Sequence, residues 1–452
     1  MDEISAGQAL SAANTAWVLA AAALVLFMTP GLAFFYAGFV RSKNVLGTIM
    51  QSFIVMGLVG VLWVLIGYTL AFGPSQGGII GNLDFIFLQD TPSTLPDDGT
   101  IAPMAFMAFQ MMFAIITPAL ITGAFAERAK FSTFLAFMAA WALLVYAPVA
   151  HWVFGTGGWL SPFDSEGFAT EGINALDFAG GTAIHVNAGA AALAAAIFYG
   201  KRRGFGTEPM EPHNVSYIVL GAGILWFGWF GFNAGSALGA NSAAVNAFVV
   251  TNTAAAAAAL SWMFVSWAVT GKASVIGAAA GAVAGLVAIT PGSGFVEPMP
   301  AILIGAVAGA VCYGAVRLRA RSGLDDSLDV VGVHGIGGLW GGIATGLFAT
   351  AAVGGVDGVF EGNPEQMGDQ LIAIGAVALY SFVVTSIILK ALDLAVGIRV
   401  KDEDEELGLD VTQHGERGYV FDDVGVPVYN ITPVSAPQPT PQPMPQTDAG
   451  SA

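Results

Sequence analysis

Charge is scarce in this 452-residue sequence: only 10% of its residues are Asp, Glu, Lys or Arg, where a soluble globular domain carries about 25%. That scarcity excludes a soluble enzyme, a nucleic-acid binder and a disordered chain. There is one cysteine, Cys312, inside an apolar run, which excludes a disulfide framework and any cysteine-based metal cluster. Only five histidines occur, and no third His or Cys accompanies the two that fall mid-span, so no catalytic zinc set is expected. Basic residues are few as well, 15 against 32 acids. The start, Met1-Asp2-Glu3, lacks the basic n-region of a secretory signal, so no cleavage is expected.

What remains is apolar and small. Hydrophobic residues make up 55% of the chain and glycine contributes 59 positions, a composition suited to closely packed transmembrane helices. Runs of about 20 apolar residues predict eleven spans, over 14–40, 45–72, 101–126, 131–153, 176–200, 214–234, 246–270, 274–291, 299–316, 330–351 and 368–397. All 15 basic residues sit at the ends of odd-numbered spans or after them, from Arg41 and Lys43 after the first to Lys390, Arg399, Lys401 and Arg417 near the end of the last or beyond it. The positive-inside rule then places the N-terminus outside and the C-terminus in the cytoplasm. The expected fold is an all-α membrane protein of two inverted five-helix halves plus a final helix, with the transport site where the halves meet. Residues 1–400 form the membrane domain. Residues 401–452 form a cytoplasmic tail with an acidic run at 402–406, read as a solvated segment, and a Pro-rich stretch at 433–446. Fourteen unbalanced acids in the outer segments, among them Asp84, Asp97, Glu297 and Asp369, fit a saline habitat. At molar salt the Debye length of about 3 Å would screen any steering.

Two histidines carry the chemical argument. His185, in Asp177-Phe-Ala-Gly-Gly-Thr-Ala-Ile-His185, and His334, in Asp329-Val-Val-Gly-Val-His334, fall at matched depths in the fifth helix of each half. One intramembrane histidine can be a core residue bonded to a carbonyl, whereas two at matched positions point to a relay for a small neutral or transiently protonated solute. Trp229, Phe232 and Ser236 are spaced i, i+3, i+7 on one helix face, and Phe109 and Phe113 are spaced i, i+4. Such stripes are usually core, but an aromatic face ending in a hydroxyl suits an ammonium-like cation.

These residues resemble the ammonium transporter (Amt/MEP/Rh) family, in its Amt branch. The resemblance covers about 14–416 and rests on Pro30-Gly-Leu-Ala-Phe-Phe-Tyr-Ala-Gly38, Arg41-Ser-Lys-Asn-Val-Leu46, Gly123-Ala-Phe-Ala-Glu-Arg128, the stretches 177–185, 226–236 and 329–335, and Gly408-Leu-Asp-Val411…His414-Gly-Glu416. It implies a homotrimer of eleven-helix protomers in the cell membrane, each with its own pore and no cofactor. It implies an outer ammonium site at Phe113, Ser236 and Phe154, with Asp177 supporting recruitment. It also implies a stacked gate of Phe113 over Phe232, Trp229 lining the lumen, and twin pore histidines His185 and His334. A PII signal protein (GlnK class) would dock at the cytoplasmic face, on the basic loops and 397–416. The family usually has Trp where this sequence has Phe154; Phe offers a weaker ring face and no indole N–H, and Trp152 or Trp159 turning inward would compensate. The mechanism implied is deprotonation of ammonium at the gate and passage of ammonia, with separate proton transfer. A neutral ammonia channel and an ammonium sensor are the alternatives.

Overall fold

The computed structural model describes residues 5–164, 167–168 and 172–420, with the backbone alone at 163–164 and 167–168. Asp2, Glu3, Glu166 and Glu171, four of the fourteen acids expected outside, and the Pro-rich stretch lie outside the described residues. Among the described residues eleven apolar helices follow one another: α1 Ala6–Phe39, α2 Ser42–Phe72, α3 Pro103–Ala124, α4 Phe131–Phe154, α5 Gly181–Tyr199, α6 Val215–Gly235, α7 Ser242–Thr270, α8 Val275–Ile289, α9 Pro298–Ser322, α10 Val331–Phe348 and α11 Glu365–Val396. Ten are long and apolar enough to cross a membrane; α8, at 15 residues, falls below that length. It spans roughly 22 Å at 1.5 Å per residue, and is buried along most of its length. Two-residue hairpins, β1 Ser75–Gln76 with β2 Ile80–Gly81 and β3 Phe163–Asp164 with β4 Gly167–Phe168, are the strands among the described residues.

The first helix is longer than its hydropathy suggests, 34 residues from a Ser5 cap, and it continues through Pro30. Glycines let helices touch backbone to backbone. A Cβ on Gly221 of α6 would lie 2.3 Å from the Phe35 nitrogen of α1, and one on Gly189 of α5 would lie 2.3 Å from the Gly335 Cα of α10. No larger residue fits either crossing without moving a helix. Four helices contain a π turn, at Trp63–Gly67, Ala142–Tyr146, Gly181–Val186 and Val331–Gly335. The last two carry His185 and His334. Such turns rotate the side chains that follow and recur at functional sites.

One end of the bundle is tied by buried charge. Glu127, whose backbone sits at φ 73°, pairs with Arg41 at 3.0 Å and Arg202 at 3.2 Å. Arg202 pairs in turn with Asp325 at 2.8 Å. Arg128 is fully buried and donates to the carbonyls of Ala124, Ala126 and Asp325 and to the Ser327 hydroxyl. Burial pushes the Glu127 carboxyl up, but Arg202 and Arg41 outweigh it and hold the group below the usual carboxylate range. The same contest, with Arg202 and Arg128, holds Asp325 low.

The composition shift at Lys401 is not a break in packing: the compact unit runs to Gly418. The Lys130 N–H donates to the Ile398 carbonyl and the Val400 N–H to that of Arg128. Two short helices follow, α12 Asp402–Leu407 and α13 Leu409–His414. The acidic run is therefore only partly solvated. Glu405 is buried and pairs with Arg399 at 2.6 Å, while Lys43 donates to the carbonyls of Glu405 and Glu406. The Gly47 N–H donates to Asp410 and the Leu409 N–H to Asn44, both at 2.8 Å.

Candidate functional site

The sequence-predicted residues line up in series. At one end a cavity of about 310 Å³ is lined by Phe113, Phe154, Asp177 and Ser236, together with Phe106, Gln110, Phe178 and Phe295. The Ser236 hydroxyl donates to the Phe232 carbonyl at 2.9 Å, which leaves its oxygen lone pairs free to accept. Next, Phe113 and Phe232 close the floor, their ring centroids 4.6 Å apart. Phe232 then stacks on His185 at 5.9 Å, as does Trp229 at 5.3 Å. The Trp229 indole N–H donates to Thr290, which fixes its ring against the histidine.

His185 and His334 meet at Nδ1···Nδ1 3.2 Å, their rings nearly parallel. One Nδ1 must donate and the other accept, so the two imidazoles hold opposite tautomers. His185 Nε2 is buried without a hydrogen bond among the described residues. The two rings share a cavity of only about 10 Å³ with Leu32, Ile116, Trp229 and Phe232, room for a single water-sized molecule. On the far side His334 faces a wider cavity of about 540 Å³ with Tyr36, Trp262, Lys272, Tyr313 and Arg317 on its walls.

Asp177 lines the first cavity but does not offer it a free oxygen. Its carboxylate accepts the N–H groups of Gly180, Gly181, Thr182 and Ala183 at 2.6–2.9 Å. It caps the turn that carries His185. Burial pushes this carboxyl up and the four donors oppose that shift.

Neither Trp152 nor Trp159 lines the cavity beside Phe154. The Trp152 indole donates to the Ile79 carbonyl, and its ring packs against Trp159 and Tyr380. The extra rings in the cavity are Phe106, Phe178 and Phe295. Two of these had a local signal: Phe106 continues the Phe113 stripe at i−7, and Phe178 follows Asp177. In the repeat, Asp329 is not the counterpart of Asp177. The counterpart of Asp177 is Asp326, eight residues before His334, which accepts the Val331 N–H at 2.8 Å. Asp329 instead pairs with Arg319.

Among the described residues, ten membrane-length helices surround a small apolar cavity with a wider cavity on either side, the architecture of a multi-pass integral membrane transporter. The chain belongs to the ammonium transporter family: the Ammonium Transporter Family profile matches residues 16–419. It is similar to Ammonium transporter Amt1 of Archaeoglobus fulgidus, 48% identical over 410 residues that cover 91% of this chain and 100% of that one. Among solved structures it is similar to Mep2 of Candida albicans, with a TM-score of 0.80 at 38% identity and 89% coverage of each chain. It is also similar to a Sensor Amt Protein, with a TM-score of 0.80 at 30% identity, covering 89% of this chain and 98% of that one. The protein is a transporter of ammonium and not an enzyme.

Proposed function

We propose that this chain takes ammonium from the cell exterior, removes its proton at the phenyl gate and passes ammonia along His185 and His334. The series Phe113, Phe232, His185, His334, each in contact with the next, carries the reading. Ring faces of Phe113, Phe154 and Phe178 attract the cation, Ser236 accepts one of its N–H groups, and Asp177 braces the turn behind. Beyond the gate the passage has room for one small molecule and almost no hydrogen-bonding groups except the histidines. A bare cation there loses its hydration without replacement, a cost of several kcal/mol. A neutral ammonia is also dehydrated, but at far lower cost than an ion. The opposed tautomers give it an acceptor or a donor in turn, and the proton travels separately.

We read α8 as the eleventh crossing. The ends of α1, α3, α5 and α11 and the loop before α10 are joined by Arg41–Glu127–Arg202–Asp325 and by the 398–400 pairing, and Lys272 shares a cavity with Tyr36 and Asp329. A shared inner face for all of these requires α8 to cross, and it leaves the N-terminus outside and the C-terminus inside. The 1–400 membrane body assembles as a homotrimer in the lipid. Its basic inner face, with 397–416, receives a PII signal protein (GlnK class), while 401–452 is the cytoplasmic tail. The likeness to the Sensor Amt Protein favours one second reading, an ammonium sensor. Methylammonium uptake and current recording on purified protein in liposomes separate the two. Uptake with a current supports the proposed mechanism, uptake without a current supports a neutral channel, and neither supports the sensor.

A further inference from the structure

The two histidine turns are built alike. His334 follows His185 by 149 residues, and three other features recur at that spacing. Asp177 and Asp326 each stand eight residues before their histidine. Each caps the turn that carries it. The residue three positions after each aspartate takes a left-handed backbone, Gly180 at φ 111° and Asp329 at φ 60°. Glycine adopts that conformation freely; Asp329 is strained there, and its ion pair with Arg319 at 2.5 Å holds it.

The two caps differ in one respect. Asp177 spends both oxygens on four N–H donors. Asp326 is fully buried, holds the Val331 N–H with Oδ2, and leaves Oδ1 without a hydrogen bond among the described residues. Its charged surroundings come from every neighbouring element. Asp329 lies on its own segment, Arg319 on α9 and Tyr36 on α1, and Arg202 and Arg128 hold the adjacent Asp325. Burial first, and then Asp329, push the Asp326 carboxyl up to about 7.

We propose that Asp326 is a positioning residue for His334, and that gain or loss of its proton loosens or tightens the turn on which His334 sits and so tunes transport. The proposal rests on the relay reading of the histidine pair. An ionised carboxylate holds the turn's N–H groups and complements its positive end; the neutral acid does so weakly. Transport therefore gains an Asp326-dependent component as pH rises through the neutral range.

The test compares ammonium-driven initial currents in liposomes for wild type, Asp326→Asn, Asp329→Asn and His334→Ala across about pH 5.5 to 8. The ratio of wild type to Asp326→Asn cancels the pH dependence of ammonium itself. That ratio is expected near one at the acid end and about threefold to tenfold at the alkaline end. Asp329→Asn removes a neighbouring negative charge, so its rise is expected at lower pH than in wild type. A ratio that is constant with pH, or an Asp329→Asn rise that does not move, overturns the proposal; the second arm stands even where Asp326→Asn does not fold. Full current from His334→Ala overturns the relay reading and this proposal with it. A constant ratio alongside an inactive His334→Ala overturns this proposal alone.

Discussion

Gly189 of α5 and Gly335 of α10 touch backbone to backbone, and a Cβ on Gly189 would sit 2.3 Å from the Gly335 Cα. That contact sets the distance between the helices that carry His185 and His334. A methyl group there must push them apart. We expect Gly189→Ala to lower ammonium transport by one to two orders of magnitude, as misplacement by about 1 Å does at a positioned site. Its thermal midpoint should fall by only a few degrees, in line with overpacking costs of about 1–3 kcal/mol. Wild-type currents from this variant would show that the crossing tolerates separation.

For the histidines themselves, we expect His185→Ala and His334→Ala each to reduce ammonium flux sharply while the protein still purifies as a folded species. Each removes half of a hydrogen-bonded pair that lines the small cavity behind Phe232. Full transport by the double variant would remove the relay role.

At the outer cavity, the weak point is the Phe154 ring. A cation–ring contact contributes about 0.5–2 kcal/mol, and about 1.4 kcal/mol is tenfold in affinity. Phe154→Trp is expected to lower the half-saturating ammonium concentration a few-fold with a steady or lower maximal current. Phe154→Leu is expected to raise it. Neither Trp152 nor Trp159 lines the cavity, so neither masks the effect. Equal half-saturation in all three proteins would place the cation elsewhere.

The buried ion network makes a stability prediction with a definite sign. Arg202 and Arg41 depress the Glu127 carboxyl below its unfolded value. Its stabilising contribution is thus present above about pH 4 and is lost as pH falls through the depressed folded value. Glu127→Gln is expected to cost about 3–5 kcal/mol and to flatten the acid limb of the stability profile. Thermal midpoints of the detergent-purified protein from about pH 3 to 8 check both.

Past the last long helix, we expect truncation after Gly418 to leave transport and thermal midpoint unchanged, since the compact unit ends there. Truncation after Gly397 removes the pairing with Lys130 and Arg128 and the Glu405, Leu409 and Asp410 contacts. It should alter activity and abolish capture of a PII protein. Retention of PII by the shorter chain would contradict the proposed docking surface.

Much of this was legible in the linear sequence because a bilayer imposes one-dimensional rules. Apolar length marks the helices, and a shortage of charge makes each Lys and Arg informative about sidedness. Histidines stand out where nothing else can ionise. The spacing of Trp229, Phe232 and Ser236 put them on one face, and that face runs from the histidine cavity to the cavity at Phe113 and Phe154. Tertiary structure decided what depends on rotation and on partners from afar. Hydropathy carries no register, so the π turns that aim His185 and His334 left no trace in it. Three aspartates before His334 look alike in sequence. One pairs with Arg202, one caps the helix and one pairs with Arg319, and only the position of those partners tells them apart. The acidic run read as solvated by composition, yet Glu405 is buried, because Arg399 and the Arg203 backbone N–H meet it from segments that no local pattern connects.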